Sequence, residues 1–489
     1  MHNLYLLISA VLFTGTAQAH SFDERYDLPI PLEFFLVGGG LVIALSFLLI
    51  SLAAKFWPTG GSLTTHRSFV IAPHFASGAL VSFRALGLIC FMAVLGAGFW
   101  GPGNPLLNLA PNFIWITWWL GLSITISLLG NFWPLCNPWE TLFDISNWLI
   151  KKFRANPVTK KPPLLFPKAL GLYLATCFLL AWSWMEVVYP IAFVPFRVAS
   201  IALLWSALNL MGMYLFGKST WMSRGDVFSL YFSMLGQFGI FSYSTKGRSL
   251  NFRLPGEGVL IDGVIWRNVN GVAAFIVAML AIVLFDGLHG SQAWGLFKQM
   301  LEWLGLIQLS ANDYLGGTVG LFLVWLFFAG LFYVSCFISS RFTSVSTDSL
   351  ANNFSLSLIP IAVAYLLAHN FSSLMIQGQS IIFLASDPFG LGWDLFGTAN
   401  FRPNIGIIDA ASTWYLAVTS IVLGHVIALI LNHCLAMRVV HSARNAALMT
   451  ISQAVLMVML TMLSLIIIAE PMTTSEFSIL QEICFTAGA

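Results

Sequence analysis

Residues 269–290 read VNGVAAFIVAMLAIVLFDGLHG. No charged side chain falls between Arg267 and Asp286. That is close to the ~20 residues a helix needs to cross a ~30 Å hydrocarbon layer. The run then closes on an aspartate and a histidine three residues apart. The whole chain repeats this contrast between apolar runs and isolated ionisable groups. Its 489 residues are 58% hydrophobic and only 9% charged, against about 25% charged in a soluble domain. So little charge cannot cover a water-soluble surface, so the solvent is mostly lipid. A net charge of +2 gives no basic footprint for nucleic acid. The six Cys form neither a C-x-x-C pair nor a disulfide framework.

Outward from 269–286, nine more apolar stretches have helical length: 31–54, 80–99, 113–132, 167–187, 198–216, 318–339, 354–373, 412–433 and 447–468. The expected fold is therefore all-α, a polytopic membrane protein with about ten transmembrane helices. Three aromatic stretches broken by polar residues, 138–153, 226–242 and 292–308, are expected to lie in the membrane interface. Residues 1–19 read as a cleavable signal peptide, with an apolar run from Leu4 to Phe13 and Ala17-Gln18-Ala19 before the cut. Residues 20–489 then form a single membrane domain whose mature chain starts at His20 on the outer side. Alternating from there places all Lys and Arg on the inner side except Arg25, Arg197, Lys298 and Arg402. That bias is the positive-inside pattern, and it puts both mature ends outside. The longest outer segment, 374–411, contains SDPFGLGWDLFGTANFRPN. It is too apolar for a disordered linker and too rich in Gly and Pro for one helix, so a folded lid or partly re-entrant loop is expected.

Ionisable groups inside spans are costly and are functional candidates for that reason. Asp286 and His289 would share a helix face if the helix continues past Gly287 and could then hold one ion. Otherwise Asp286 bonds nearby backbone amides. His369, in LLAHNFSSLMIQGQ, is either a hydrogen bond between helices or a metal ligand or general base. His425 and His433 differ by about 80° and ~12 Å on one helix, so one ion cannot bind both. His425 could instead approach His369. Glu186, Glu33 and Arg84 read as interfacial or snorkelling side chains. A mature N-terminal His20 would offer an amino and an imidazole nitrogen, a chelate suited to copper. No Walker loop, dinucleotide fingerprint, G-x-S-x-G elbow or H-E-x-x-H motif is present.

Several segments together resemble bacterial membrane proteins known as fenitrothion hydrolases. They are AHSFDERYDLPIPLEFFLVGGGLVIALSF, LFDGL at Asp286, LLAHNFSSLMIQGQ at His369, SDPFGLGWDLFGTA and LGHVIALILNH at His425. The resemblance implies hydrolysis of an organophosphorus ester at the bacterial inner membrane, within an assembly of other inner-membrane subunits. A divalent metal, copper or zinc, bound by His20, Asp286, His289, His369 and His425, would suit that chemistry. Asp387 and Asp394 in the outer lid would act as base or as partners of the ligands. The competing reading is non-enzymatic: a permease for a metal ion or small solute, or a structural subunit. A permease requires polar groups that continue to the inner face, and only His425 and His433 suggest such a trail.

Overall fold

The computed structural model describes residues 31–53, 67–70, 73–153, 162–244, 249–440 and 442–470. The expected signal peptide and His20 lie outside the described residues. Nearly all secondary structure is helical. In chain order the main elements are α1 (Leu32–Ala53), β1 (Arg67–Val70), α2 (Pro73–Trp100), α3 (Leu109–Leu129), α4 (Pro138–Phe153), α5 (Tyr173–Val187), α6 (Pro195–Phe216) and α7 (Val227–Leu235). They continue as β2 (Phe241–Ser244), β3 (Ser249–Phe252), α8 (Val272–His289), α9 (Gln292–Trp303), α10 (Asp313–Ser340), α11 (Thr347–Gln377), α12 (Ser380–Ser386), α13 (Ala410–Val439) and α14 (Ala443–Ala469).

Among the described residues, nine helices are long and apolar enough to cross a membrane: α1, α2, α3, α6, α8, α10, α11, α13 and α14. The chain is a multi-pass membrane protein by that measure. The stretch expected as a tenth span, 167–187, yields the 15-residue α5, which at 1.5 Å per residue reaches only ~22 Å. A turn of 3₁₀ helix, Lys168–Leu170, precedes it. Helices α8 and α11 are largely covered by their neighbours, whereas α1 and α2 expose most of their surface. On α2, Val81, Leu86, Ile89 and Met92 stand out as an exposed apolar stripe, the surface that lipid solvates. Arg84, expected to snorkel, pairs with Asp144 of α4 at 3.1 Å.

One segment departs from expectation. The stretch 226–242, read as interfacial, places α7 in the interior, and Val227, Phe228, Leu230, Tyr231, Phe232, Met234 and Leu235 are all buried. Tyr231 stacks on Trp119 at 4.8 Å between ring centroids, and Trp119 lies at the middle of α3. A nine-residue helix can sit there because both of its ends are satisfied. Asp226 caps the N-terminus, accepting from Ser229 N at 3.1 Å. At the other end the buried Arg253 donates to Gly236 O at 2.5 Å and Gly239 O at 2.8 Å, with Asp262 Oδ2 at 2.6 Å. Burial pushes the Asp226 carboxyl up to about 6. Strands β2 and β3 follow as a hairpin, and β1 pairs with β3, giving the antiparallel order β1-β3-β2.

A second local feature is the middle of α3. Asn112–Leu122 is π-helical, a geometry that is rare and frequent at functional sites. It brings Trp115, Trp118 and Trp119 toward Trp182 of α5, with ring centroids at 4.7, 6.0 and 5.5 Å.

Candidate functional site

The clearest polar contact between spans joins α8 to α11. His369 Nε2 lies 2.9 Å from Asp286 Oδ2, with the histidine side chain 6% exposed and the carboxylate 32%. Gly287 makes room for this contact. A Cβ there would meet Tyr365 Oη at 3.1 Å, His369 Cε1 at 3.4 Å and Ile467 at 2.9 Å. The Tyr365 and His369 rings stack one turn apart at 6.1 Å. The buried Tyr365 hydroxyl has no hydrogen-bond partner among the described residues.

Asp286 also lines a small pocket together with Trp119, Glu186, Tyr231 and Asn370. Its volume of about 20 Å³ exceeds the ~10–15 Å³ that one water requires. Glu186 Oε2 accepts from Trp119 Nε1 at 3.0 Å, and Asn370 Nδ2 donates to Leu366 O at 3.3 Å. Asp286, Glu186, Asn370 and the Tyr231 ring thus line space for one water near the ends of α5 and α8. Sequence reasoning identified Asp286 and His369 separately but not their pairing. It read Glu186 as an interfacial carboxylate and missed Tyr231, because α7 was expected elsewhere.

The other candidates are engaged differently. His289 shares a helix with Asp286, but its ring packs on Phe285 and Trp294 at 5.5 and 5.0 Å. His425 is buried, and its Nδ1 lies 2.8 Å from the Ile421 carbonyl of its own helix. Its Nε2 has no partner among the described residues, nor do both nitrogens of His433 or the amide atoms of Asn432. Asp387 and Asp394 serve their own loop. Asp387 accepts from Leu391 N at 2.9 Å and Gly392 N at 2.8 Å, and Asp394 from Ala399 N at 2.9 Å. Ionised carboxylates are strong acceptors for loop amides that no helix satisfies. The segment 374–411 is folded: Gln379 clamps Asn404 through Asn404 N at 2.9 Å and Asn404 O at 3.0 Å. Phe389 lies against Gly96 of α2.

Among the described residues, no three His, Cys, Asp or Glu side chains are grouped as a metal site. Asp286 and His369 supply two donors in contact with each other. Family models, curated proteins and solved structures offered no match to this chain.

Proposed function

We propose that the chain is a bacterial inner-membrane protein that hydrolyses an apolar aromatic organophosphorus ester, alone or as one component of a membrane complex. The observation that carries this reading is the Asp286–His369 hydrogen bond beside a water-sized pocket. The proposed topology has ten spans, with α5 crossing with the help of the turn before it, and both mature ends outside. It puts the pocket toward the outer face.

With the Nε2 proton of His369 donated to Asp286, Nδ1 remains as a basic nitrogen, and the carboxylate fixes that tautomer. In the proposed step a water oxygen bonds to phosphorus and its proton passes to the Asp286–His369 pair. The phosphorus–aryloxide bond breaks and the aryloxide leaves. A copper or zinc ion held by Asp286 and His369, with His20 completing the set, would supply a more acidic water.

The test uses purified protein in lipid nanodiscs with an uncharged aryl phosphotriester, with and without added zinc or copper, following release of the phenol. General-base removal typically costs ~10²–10⁴-fold, so Asp286→Asn and His369→Gln should lose that much turnover while remaining folded. Wild-type protein that releases no phenol in either metal condition, or variants at full rate, would sink the reading.

A second reading, a permease for a small solute or ion, has its own observation. Tyr365 Oη, His425 Nε2, Asn432 and His433 leave unpaired polar atoms on the packed helices α11 and α13. Groups of this kind inside a membrane mark solute or proton paths. Liposomes loaded with a pH-sensitive dye would report proton movement that His425→Leu abolishes. Tight vesicles with the wild-type protein would remove this reading.

A further inference from the structure

Helix α4 divides its surface between two environments. Its first turn lies in the protein, with Pro138, Trp139 and Thr141 buried. Farther along, one face is held by α6. Ser146 Oγ and Tyr214 Oη are 2.8 Å apart, and the Phe143 and Tyr214 ring centroids 4.8 Å. Both acids of the helix are taken as well. Asp144 pairs with Arg84 of α2 at 3.1 Å, and Lys218 reaches Glu140 at 3.0 Å and Asp144 at 2.9 Å.

Ile145, Trp148, Leu149 and Lys152 follow at i, i+3, i+4 and i+7, so they share the opposite face. Trp148 is 58% exposed and Phe153, at the end of the helix, 79%; Ile145 and Leu149 are exposed too. A contiguous exposed apolar stripe marks an interaction surface. Lys151 and Lys152 stand exposed at its end, and Lys152 Nζ lies 5.1 Å from the Trp148 ring centroid. The sequence supplies no acid to answer them. Between Asp144 and Glu186 it has no Asp or Glu, while it adds Arg154, Lys160, Lys161 and Lys168. Such a face complements a surface that is apolar beneath and anionic above. The Asp144–Arg84 pair sets its depth. Arg84 lies about two turns inside the apolar stretch of α2 that begins at Ser77, or ~10 Å along the axis. That is as deep as the apolar face of an in-plane helix reaches. Val81 and Leu86, on either side of Arg84, belong to the exposed stripe of α2, so α4 is tied to that span beside its lipid-facing surface.

We infer that α4 is an in-plane recognition element for anionic phospholipid: Ile145, Trp148, Leu149 and Phe153 rest at the boundary between headgroups and acyl chains, and Lys151 and Lys152 hold the phosphates of acidic headgroups. Lysines in the last turn of a helix also answer its dipole, but that interaction is the same in every lipid. A dependence on lipid charge therefore belongs to the headgroups. Lipid recognition of this kind is independent of any hydrolysis at Asp286 and His369.

The test is hydrogen–deuterium exchange of the peptide covering 142–153, read by mass spectrometry on the full chain in nanodiscs. One set of discs is phosphatidylcholine alone, and the other contains phosphatidylglycerol as well. Wild-type exchange is expected to be at least ~5-fold slower with the anionic lipid, which is what ~1 kcal/mol for one lysine at a charged surface converts to. High salt should remove that difference. Lys151→Gln with Lys152→Gln, a change confined to exposed side chains, should exchange alike in both discs, and Lys151→Arg with Lys152→Arg should behave as the wild type. Trp148→Glu should speed exchange in both discs, because it forces a carboxylate into the boundary. Wild-type exchange that is equal in the two discs overturns the inference and leaves the stripe to a protein partner. A double Gln variant that keeps the full difference overturns it too. Slowing reproduced by inorganic phosphate in phosphatidylcholine discs would make the lysines a site for soluble anions, and Trp148→Glu exchanging as the wild type would take the stripe out of the bilayer; either result overturns it. Asp286→Asn should keep the lipid dependence, which separates this result from any failure of the hydrolase reading.

Discussion

An aromatic chamber and the seam between α11 and α13 both place polar atoms in an apolar interior, but they do so differently. Around the apolar chamber, lined by α2, α3, α5 and α6, the unpaired groups are indole N–H donors of Trp133, Trp182 and Trp205, buried in its wall. In the seam the unpaired groups of His425, Asn432 and His433 lie on a helix packed tightly against its neighbour. Gly424 sits so close that a Cβ would meet Ala364 at 2.3 Å and Pro360 O at 2.9 Å. The contact between α10 and α14 provides a standard for both. There Ser339, Ser452 and Gln453 satisfy one another, with Ser339 Oγ donating to Met449 O at 2.7 Å and Ser452 Oγ to Ser335 O at 2.8 Å. That network is closed between two helices, whereas the polar atoms of the chamber wall and of the seam are left open.

The largest loss of stability is expected where a side chain is forced into either region. Gly87 of α2 lies where a Cβ would be 1.9 Å from the Cys136 carbonyl. Gly87→Ala and Gly424→Ala should each cost about 3 kcal/mol or more, the upper range for overpacking. Thermal unfolding in nanodiscs measures this, and a variant as stable as wild type would show that the helices can part freely.

Next in size is a pH effect confined to the aromatic half. The Asp226 carboxyl is raised from an ordinary 3.8 to about 6 by burial, so the folded state holds its proton more tightly than the unfolded state does. Its contribution to stability is complete below about 3.8 and is lost as pH rises through about 6, by on the order of 3 kcal/mol. Asp226→Asn keeps an acceptor for the cap and should flatten the profile. A slope that persists between pH 4 and 6 in that variant assigns it to another group.

His425→Leu sharpens the contrast further. If the seam is dry, removing an unpaired buried nitrogen should stabilise the protein by about 1–2 kcal/mol. A loss of stability instead would mean that His425 holds a water or solute, as the permease reading requires. The smallest effect separates the indoles themselves. Trp139→Phe forfeits its bond to Ser206 and should cost about 1 kcal/mol. Trp182→Phe forfeits no such bond and should cost less, as chemical unfolding would show.

The long spans were legible because hydropathy alone positions a helix in lipid, and α8 falls almost where its apolar run predicts. Helix α7 was not legible, because the stretch 226–242 read as interfacial and Arg253 as an inner-side cation until Asp226 and Arg253 are seen to satisfy the two ends of the helix. The two members of the central pair, Asp286 and His369, were each visible as costly residues in apolar runs. Their contact was not, since nothing local fixes the rotation of α8 against α11. The i,i+3 spacing pointed to His289 as the partner of Asp286, yet Phe285 and Trp294 hold that ring. The chamber left one unread trace in the sequence, Trp115 and Trp118 on one span opposite Trp182.

The three-stranded sheet also imposes a schedule on synthesis. Arg67 pairs with Phe252 and Val70 with Ser249, so β1 is made long before its partner exists. At ~5–20 residues per second the wait is roughly 10–40 s. During that interval the strand presents an unpaired edge while α2, α3, α5 and α6 are delivered to the bilayer. The sheet can close only after those helices have arrived, which makes it a late checkpoint on their insertion.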